Sequence, residues 1–462
     1  MIALLKKFTG IKGKGESFDR ILGYWFPELV SQIILITLPS FVDSLVVAQL
    51  GSITVYGALG MGSHVMHALN KLGEAIPVAA TAVIGRHNGA QEYEKCGEDL
   101  GDTFWTTFFL GFVQFTFFYF CAAGFYHWLG VPEDMVVHGT PFLMLKSFGM
   151  WLAFITFGLL SFIRAVKNTR VPMLVCLVGI VTFIFFDYGL VLGKFYLPRL
   201  GLLGSSVATV IEYGFMTSIS LFYILTNPDY KKYFAKIFFS VFNVRRALNL
   251  LNLSWPIVID KTTIALSYIW LAKQIAHLGT QSIASFDVIK NLERMAFVPV
   301  MASATIITFL VSNYLGARDY DGATATIKKL YLFSCITVLI SLIFLCINAT
   351  YCVSFFDPAN KLTTFAAAAL TPISLLVFFD FTQVFLAGAL RGAGDVKTVM
   401  WTRVIVCGCF FVPISSYFNS LPNISNLMKF VFIYGSFYVT TGIIGLVYLL
   451  RINSHKWHQQ KI

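Results

Sequence analysis

Two aspartates lie deep inside long apolar runs of the sequence. Asp43 lies about 15 residues into the first run and Asp187 about 16 into the fifth. If both runs are helices that cross a membrane outward from the cytoplasm, both carboxyls lie about 22 to 24 Å from the cytoplasmic side. Thr209 in the sixth run reaches a similar level. Carboxyls close together at low dielectric repel each other, which favours a proton or a hard cation such as Na⁺ between them. The alternative is that each aspartate only hydrogen-bonds a neighbouring helix.

A third acid, Asp380, lies about 16 residues into the tenth apolar run, and Gln383 follows one helical turn later. One turn puts both side chains on the same face of a helix. An ionisable group at this depth costs about 2.5–3.5 kcal/mol even on lenient insertion scales. We therefore interpret Asp380 either as a second proton site or substrate counter-ion, or as the centre of a structural hydrogen-bond network.

Charged side chains also recur at helical spacing in the second and eighth runs. Spacings of three and four residues place side chains on one face of a helix, and such a face is costly against lipid. We predict that both faces line one aqueous cleft. Their residues are His64, His67, Lys71, Glu74, Lys290, Glu293 and Arg294. The companion ligands of a zinc enzyme are missing, so we expect no metal site.

Two further acids receive structural interpretations. Asp260 and Lys261 are adjacent and therefore point to different sides of the seventh run. We expect either an adjustment of charge within the helix near its cytoplasmic end or a gate. Glu212 in the sixth run is expected near the inner interface, outside any site.

Composition defines the elements that must position these residues. Of 462 residues, 57% are hydrophobic and 12% are charged, against about 25% charged in soluble domains. This excludes an ordinary soluble protein and leaves little room for a catalytic domain, so we expect no enzyme. The net charge of +11 comes from basic residues concentrated between the runs, and no nucleic-acid partner is expected. The eight scattered cysteines form no CxxC pair, so we expect inert thiols and no cofactor.

The apolar runs predict an all-α integral membrane protein with twelve transmembrane helices. With the N-terminus in the cytoplasm, most of the 34 Lys and Arg residues fall in cytoplasmic segments, as the positive-inside rule requires. Both termini are then cytoplasmic. We expect a monomer in a cell membrane, the bacterial inner membrane in particular. The predicted spans are 28–50, 57–84, 104–126, 137–163, 171–193, 203–226, 254–277, 284–312, 329–356, 364–390, 399–419 and 428–450.

The sequence repeats itself at a constant offset. NGAQEYEKC after the second span resembles LGARDYDGA after the eighth, with Tyr93 and Tyr320 in register. RAVKNTRVPM after the fourth span resembles RGAGDVKTVM after the tenth, with Arg164 and Arg391 in register. Both offsets are 227. We predict two parallel six-helix bundles around a central cleft, residues 1–235 with a basic tail and 236–462, an arrangement typical of secondary transporters.

The order of these motifs resembles the multidrug and toxic compound extrusion (MATE) family over nearly all twelve spans. The resemblance rests on VDSLVVAQLG in the first span, the Gly-Ala loops after the second and eighth, RGAGD after the tenth, and FDYGLVLG followed by GLLGSSVAT. It implies an antiporter that exports amphipathic organic cations in exchange for H⁺ or Na⁺ between two lobes.

Individual residues match the family in different ways. Asp43, Asp187 and Thr209 match the cation-coupling residues of its N-terminal lobe. Asp380, with Gln383, matches an acid of another branch. The chain departs from the family four residues before Asp187, where Phe183 replaces an Asn ligand and weakens the case for Na⁺. We also expect no acid in the seventh span at the family's usual depth, since Asp260 comes too early.

Three rival functions remain. A flippase for lipid-linked saccharides, from the same superfamily, needs a basic cavity, and Lys71, Lys290 and Arg294 keep it open. A membrane enzyme needs a nucleophile or a metal cluster, which the sequence does not offer. A channel needs a continuous pore lining, which a duplicated rocking architecture does not predict.

Overall fold

The structure is a computed structural model that describes residues 15–36, 38–128, 130, 132–234, 243–355, 362–422, 424–454 and 456–459. Within helices, the side chains of residues 36, 53, 64, 65, 67–70 and 72 also lie outside the described part. The secondary structure of the described residues is entirely helical.

The described residues of the first half of the chain form seven helices and one short 3₁₀ turn at Pro228–Tyr233. The helices are α1 Phe18–Ile36, α2 Leu38–Ala48, α3 Ile53–Gly89, α4 Tyr93–Trp128, α5 Glu133–Ala165, α6 Arg170–Leu192 and α7 Leu202–Thr226. The first predicted span corresponds to α1 and α2 together. The next five correspond to α3 to α7.

The second half repeats this order with more interruptions. Its helices are α8 Val244–Ala276, α9 Thr280–Ala296, α10 Val298–Gly316, α11 Tyr320–Ile347, α12 Ala349–Ser354, α13 Thr363–Gly392, α14 Val396–Val406, α15 Val412–Ser420 and α16 Asn426–Asn453. A π-helical turn, Cys407–Phe411, joins α14 to α15, and a 3₁₀ turn, Lys456–Gln459, follows α16.

Ten of the described helical segments are long and apolar enough to cross a membrane. The second and seventh predicted spans, in α3 and α8, fall outside this set. Both are helical throughout, and each carries charged residues within its span, Lys71 and Glu74 in α3 and Asp260 and Lys261 in α8. The predicted all-α membrane fold is confirmed. At 37 and 33 residues, α3 and α8 are long enough to cross a membrane, so their charged residues and not their lengths set them apart.

Helix contacts divide the chain into two compact units. One contains residues 23–254 with the first six spans, and the other contains residues 255–462 together with the N-terminal residues up to Leu22. The predicted boundary lies between residues 235 and 236, whereas the two observed units meet at residues 254 and 255 and again at residues 22 and 23. The first turns of α8 belong to the first unit because Arg246 binds Glu98 and Asp102 on α4.

The N-terminal segment groups with the second unit through its own hydrogen bonds. The Glu16 amide donates to Thr326 Oγ1 at 3.1 Å, and Lys329 Nζ donates to the Glu16 carbonyl at 3.2 Å. The described residues of this segment, 15–22, therefore make these contacts in the second unit and not in the predicted first one. Sequence order alone cannot show that a tail packs more than 300 residues away.

The repeat is visible in the backbone as well as in the sequence. Gln91 and Arg318, 227 residues apart, both adopt positive φ, 61° and 57°. The same holds for Lys167 and Gly394, at 65° and 79°. In all four loops the amide after this residue donates to a carbonyl five residues earlier in the preceding helix, which is a Schellman-type helix end. Each of the four loops thus closes an even-numbered span with the same turn.

A core cluster in the first unit fixes the helices that carry the predicted acids. Val46 and Val47 of α2 pack with Phe142 of α5, Val191 of α6 and Leu202 of α7. These residues are buried because each helix presents its apolar face to the others. The cluster holds four helices at the level where Asp43 and Asp187 project.

Close packing of α6 against α7 provides a test of this arrangement. An ideal Cβ at Gly204 would lie 2.6 Å from the Leu190 carbonyl carbon and 2.7 Å from the Val191 nitrogen. Both neighbours are backbone atoms, so Gly204→Ala is expected to lower the free energy of unfolding by about 1–3 kcal/mol. The measurement is the apparent melting temperature of the purified protein in detergent. Gly214→Ala on the same helix is the control because no atom lies within 4 Å of its Cβ, and equal loss in both variants would contradict the packing.

Candidate functional site

The first unit buries an ion pair between two helices. Asp43 on α2 is 5% exposed, and Lys146 Nζ on α5 donates to Asp43 Oδ2 at 3.2 Å. Lys146 Nζ also donates to Ser205 Oγ on α7 at 3.3 Å. Three helices therefore meet at one ammonium group. The lysine was missed in the sequence, although a charge within the fourth span is the same signal that identified Asp43.

Asp187 on α6 lies in the same neighbourhood without a hydrogen bond. It is fully buried, and neither carboxyl oxygen has a partner among the described residues. Its charge interacts with those of Asp43 and Lys146. A buried carboxyl without donors is costly when ionised. The structure thus brings Asp43 and Asp187 together, and it leaves Asp187 as the acid with no direct partner.

Thr209 and Glu212 line the same region from α7. The buried Thr209 hydroxyl donates to the Ser205 carbonyl at 3.0 Å, within its own helix. Glu212 is 3% exposed and interacts electrostatically with Lys146, Asp43 and Asp187. Glu212 was expected near the inner interface and outside any site. The structure turns its side chain into the unit, beside these charged groups, and its depth in the membrane stays a prediction. Glu212 follows Thr209 by one helical turn, and this spacing would have shown that the two side chains share a face of α7.

Aromatic rings flank the lysine. Lys146 Nζ lies 5.4 Å from the Phe142 ring centroid and 5.9 Å from the Phe183 ring centroid. An ammonium over an aromatic face is attracted by the ring quadrupole. Phe183, which the resemblance marked as a lost ligand, therefore contacts the positive charge that Asp43 binds.

The second unit has its own buried acid, Asp260 on α8, which is bound by two arginines. Arg391 at the end of α13 and Arg403 on α14 each donate to one of its carboxylate oxygens, and Asp260 is fully buried. The expected adjustment of charge within the helix does not describe this arrangement, because the partners come from other helices of the unit. The alternative, a gate, stays a prediction.

A chain of hydrogen bonds connects this ion pair to Asp380. Arg403 Nη2 donates to Gln383 Oε1 at 2.7 Å, and Gln383 Nε2 donates to Asp380 Oδ1 at 2.9 Å. Gln383 is buried and Asp380 is half-buried. The two predicted residues are therefore hydrogen-bonded to each other on one face of α13. The geometry includes the structural network that was one of the two interpretations of Asp380.

Glu293 on α9 forms a third acidic centre in the second unit. Its Oε2 accepts hydrogen bonds from Tyr434 Oη and, at 2.6 Å, from Tyr438 Oη. Its Oε1 is buried without a hydrogen-bond partner in the described residues, and its charge interacts with those of Asp380 and Lys290. Two acids of this unit thus lie within electrostatic reach of each other, as in the first unit.

The predicted charged face of α9 is split. Lys290 and Arg294 are exposed, whereas Glu293 is buried inside its unit. Lys290 Nζ lies 5.0 Å from the Tyr268 ring centroid. The prediction that all three residues line a cleft therefore needs correction for Glu293. Glu293 and Arg294 are adjacent, so their side chains point about 100° apart around the helix, which is enough to bury one and expose the other.

The charged face of α3 is described only in part. Lys71 and Glu74 are half-exposed and form an ion pair at 3.2 Å. The side chains of His64 and His67 lie outside the described residues. Among the residues that are described, no group of three His, Cys, Asp or Glu side chains could hold a metal ion.

Two helical units built on one repeat, each with buried acids, are an arrangement typical of secondary transporters. The MatE family model matches residues 29–189 and 256–416, two matches that begin 227 residues apart. The chain belongs to the MatE family. The resemblance found in the sequence is confirmed.

Relatives and solved structures agree with this membership. A probable multidrug resistance protein NorM of Photorhabdus laumondii is 22% identical over 84% of each chain, and that of Aromatoleum aromaticum is 25% identical over 85% of this chain and 83% of its own. The crystal structure of the Vibrio cholerae MATE transporter VcmN in the bent form has a TM-score of 0.85 at 18% identity and covers 96% of this chain and 98% of its own. These proteins are named as transporters or resistance proteins, in agreement with the expectation that the chain is no enzyme.

The Asp260 network predicts a large effect on stability. Asp260→Asn leaves two buried guanidinium groups without their carboxylate, and breaking a buried pair in this way costs about 3–5 kcal/mol. We expect a clear fall in the apparent melting temperature of the protein in detergent. Asp287→Asn is the control, because Asp287 is an exposed acid of the same unit. Equal melting temperatures for both variants would show that the network contributes little.

Proposed function

We propose that this protein is a secondary active antiporter that exports amphipathic organic cations in exchange for H⁺ or Na⁺ by alternating access. The observation that carries the proposal is the placement of Asp187, a buried carboxyl beside Asp43 with no hydrogen-bond partner in the described structure. Membership of the MatE family and the names of the relatives support it. The protein acts in a cell membrane with both termini in the cytoplasm, as a monomer and without a cofactor.

The physical basis of exchange is the cost of an unneutralised charge inside the bundle. Asp43 already has Lys146 as its counter-charge, so Asp187 and Glu212 are the acids of the first unit whose state depends on an incoming cation. Binding of the coupling ion at this site and binding of the exported cation then weaken each other. A tenfold loss of drug affinity when the coupling ion binds corresponds to about 1.4 kcal/mol of coupling, and the ion loses the same amount when the drug binds.

The second unit supplies chemistry suited to an organic cation. Glu293 and Asp380 provide negative charge, and the ring centroids of Tyr268 and Phe437 lie 4.8 Å apart beside it. Aromatic area with a nearby carboxylate binds lipophilic cations through cation–π attraction and buried surface. We propose Asp380, together with Gln383, as the second acidic centre and Glu293 as its partner.

A flippase for lipid-linked saccharides is the alternative function. The exposed side chains of Lys290 and Arg294 favour it, because an anionic pyrophosphate group needs basic partners. Their neighbour Glu293 places a buried negative charge on the same helix, which favours a cationic substrate.

Transport by proteoliposomes tests the proposal. The protein is reconstituted with its cytoplasmic side facing outwards, and a lumen that is acidic or rich in Na⁺ should drive ethidium into the vesicles. Asp187→Asn is expected to reduce the initial rate of accumulation at least about tenfold, because it removes the carboxyl that the coupling ion neutralises. Asp43→Asn should abolish it. Asp134→Asn, at an exposed acid, is the matched control.

Two results would contradict antiport. Unchanged ethidium accumulation by Asp43→Asn and Asp187→Asn would remove the acids from the mechanism. Failure of the wild-type protein to accumulate ethidium, with translocation of a lipid-linked saccharide in the same vesicles, would favour the flippase.

A further inference from the structure

The ammonium group of Lys146 lies at the centre of the first unit's acidic cluster. It is bound by Asp43 Oδ2 at 3.2 Å and Ser205 Oγ at 3.3 Å, and its side chain is only 12% exposed. These oxygens come from α2 and α7, while the lysine itself comes from α5. A single positive charge thus already connects three helices at the position where a coupling cation would be expected.

A lysine ammonium and a monovalent metal ion make similar demands on a site. The ammonium carries one positive charge and donates to oxygen atoms, and a hard metal ion carries charge and accepts ligation from oxygen atoms. Asp43 Oδ2 and Ser205 Oγ are therefore oxygens that either of them could use. In this chain the ammonium has them.

Asp43 Oδ1 and both carboxylate oxygens of Asp187 have no hydrogen-bond partner among the described residues, so repulsion by the ammonium, and not a lack of oxygens, opposes a second cation. Phe142 and Phe183 place rings 5.4 and 5.9 Å from Nζ, and rings offer no oxygen ligand. The Thr209 hydroxyl donates its hydrogen to the Ser205 carbonyl, which occupies one acceptor position of that carbonyl oxygen. A metal ion near Asp187 would be repelled by the ammonium, since like charges in a medium of low dielectric interact strongly.

Charged groups from three other helices interact with Asp187 in the described part of the first unit. Asp43 faces it from α2, Lys146 from α5 and Glu212 from α7. Three carboxyls and one ammonium leave the cluster with more acid than base. With metal ions disfavoured by the lysine, protonation of a carboxyl neutralises part of this excess without placing a second cation beside the ammonium.

We infer that Lys146 is a specificity-determining residue, a resident counter-cation that keeps Na⁺ out of the first unit's acidic cluster. The inference rests on the proposed function, in which this cluster is the coupling site, and it names the class of ion that the cluster rejects. It predicts that a neutral side chain at position 146 converts the cluster into a Na⁺ site. Asp43 and Ser205 are then free to ligate the metal.

Binding of ²²Na⁺ to the purified full-length protein in detergent tests the inference. Lys146→Met removes the charge with little change in side-chain length, and it should raise the apparent Na⁺ affinity at least about tenfold over wild type. The double variant Lys146→Met/Asp43→Asn should lose this gain. Lys146→Arg keeps the charge and should bind Na⁺ as weakly as wild type. Lys95→Met, at an exposed lysine, is the control for the loss of a positive charge.

Each outcome decides the inference. A wild-type protein that binds Na⁺ as tightly as Lys146→Met would overturn it, and so would a folded Lys146→Met without saturable Na⁺ binding. If Lys146→Met does not remain monodisperse, Lys146→Gln replaces it under the same criteria. Gain of Na⁺ binding with no ethidium transport by any variant would uphold the role of Lys146 and reject drug antiport. Ethidium transport driven by a pH gradient, with no gain of Na⁺ binding in Lys146→Met, would uphold drug antiport and reject the role of Lys146.

Discussion

Neutralisation of charge inside an apolar bundle is the constraint on which this structure depends. For every buried acid that the structure describes in the spans, the negative charge of the ionised form is costly unless a counter-charge compensates it, because hydrocarbon offers no solvation. Asp43 is compensated by Lys146 and Asp260 by two arginines. Asp187 is not compensated by any direct partner among the described residues. The difference separates acids that hold helices together from acids that can exchange a proton or a cation.

The two units solve the problem in different ways on one repeated backbone. Their loops end helices with the same turn, at residues 227 positions apart such as Gln91 and Arg318. Their polar chemistry differs, since Asp187 has no acidic counterpart 227 residues later, where Ile414 stands, and Asp380 has Ala153 at the matching earlier position. In the proposed antiport, one unit handles the coupling ion and the other contacts the exported molecule.

The sequence predicted the helices and the repeat well, because hydropathy and loop motifs are local properties. It also predicted that Asp43 and Asp187 share a level, since depth follows from counting residues along a helix. It did not predict partners. Which face of a uniformly apolar helix turns inward depends on packing across helices, so Lys146 was missed, and Glu212 and Asp260 were placed at helix ends. The split between Glu293 and its exposed neighbours has the same origin.

The account's central claim is that a buried acid gives up its neutralising partner when the exported cation binds. The most direct measurement is proton release by the purified wild-type protein in weakly buffered, Na⁺-free detergent solution on addition of tetraphenylphosphonium. The account predicts release that saturates with binding and disappears in Asp187→Asn. Saturable binding of the cation without any release of protons by the wild-type protein would contradict it.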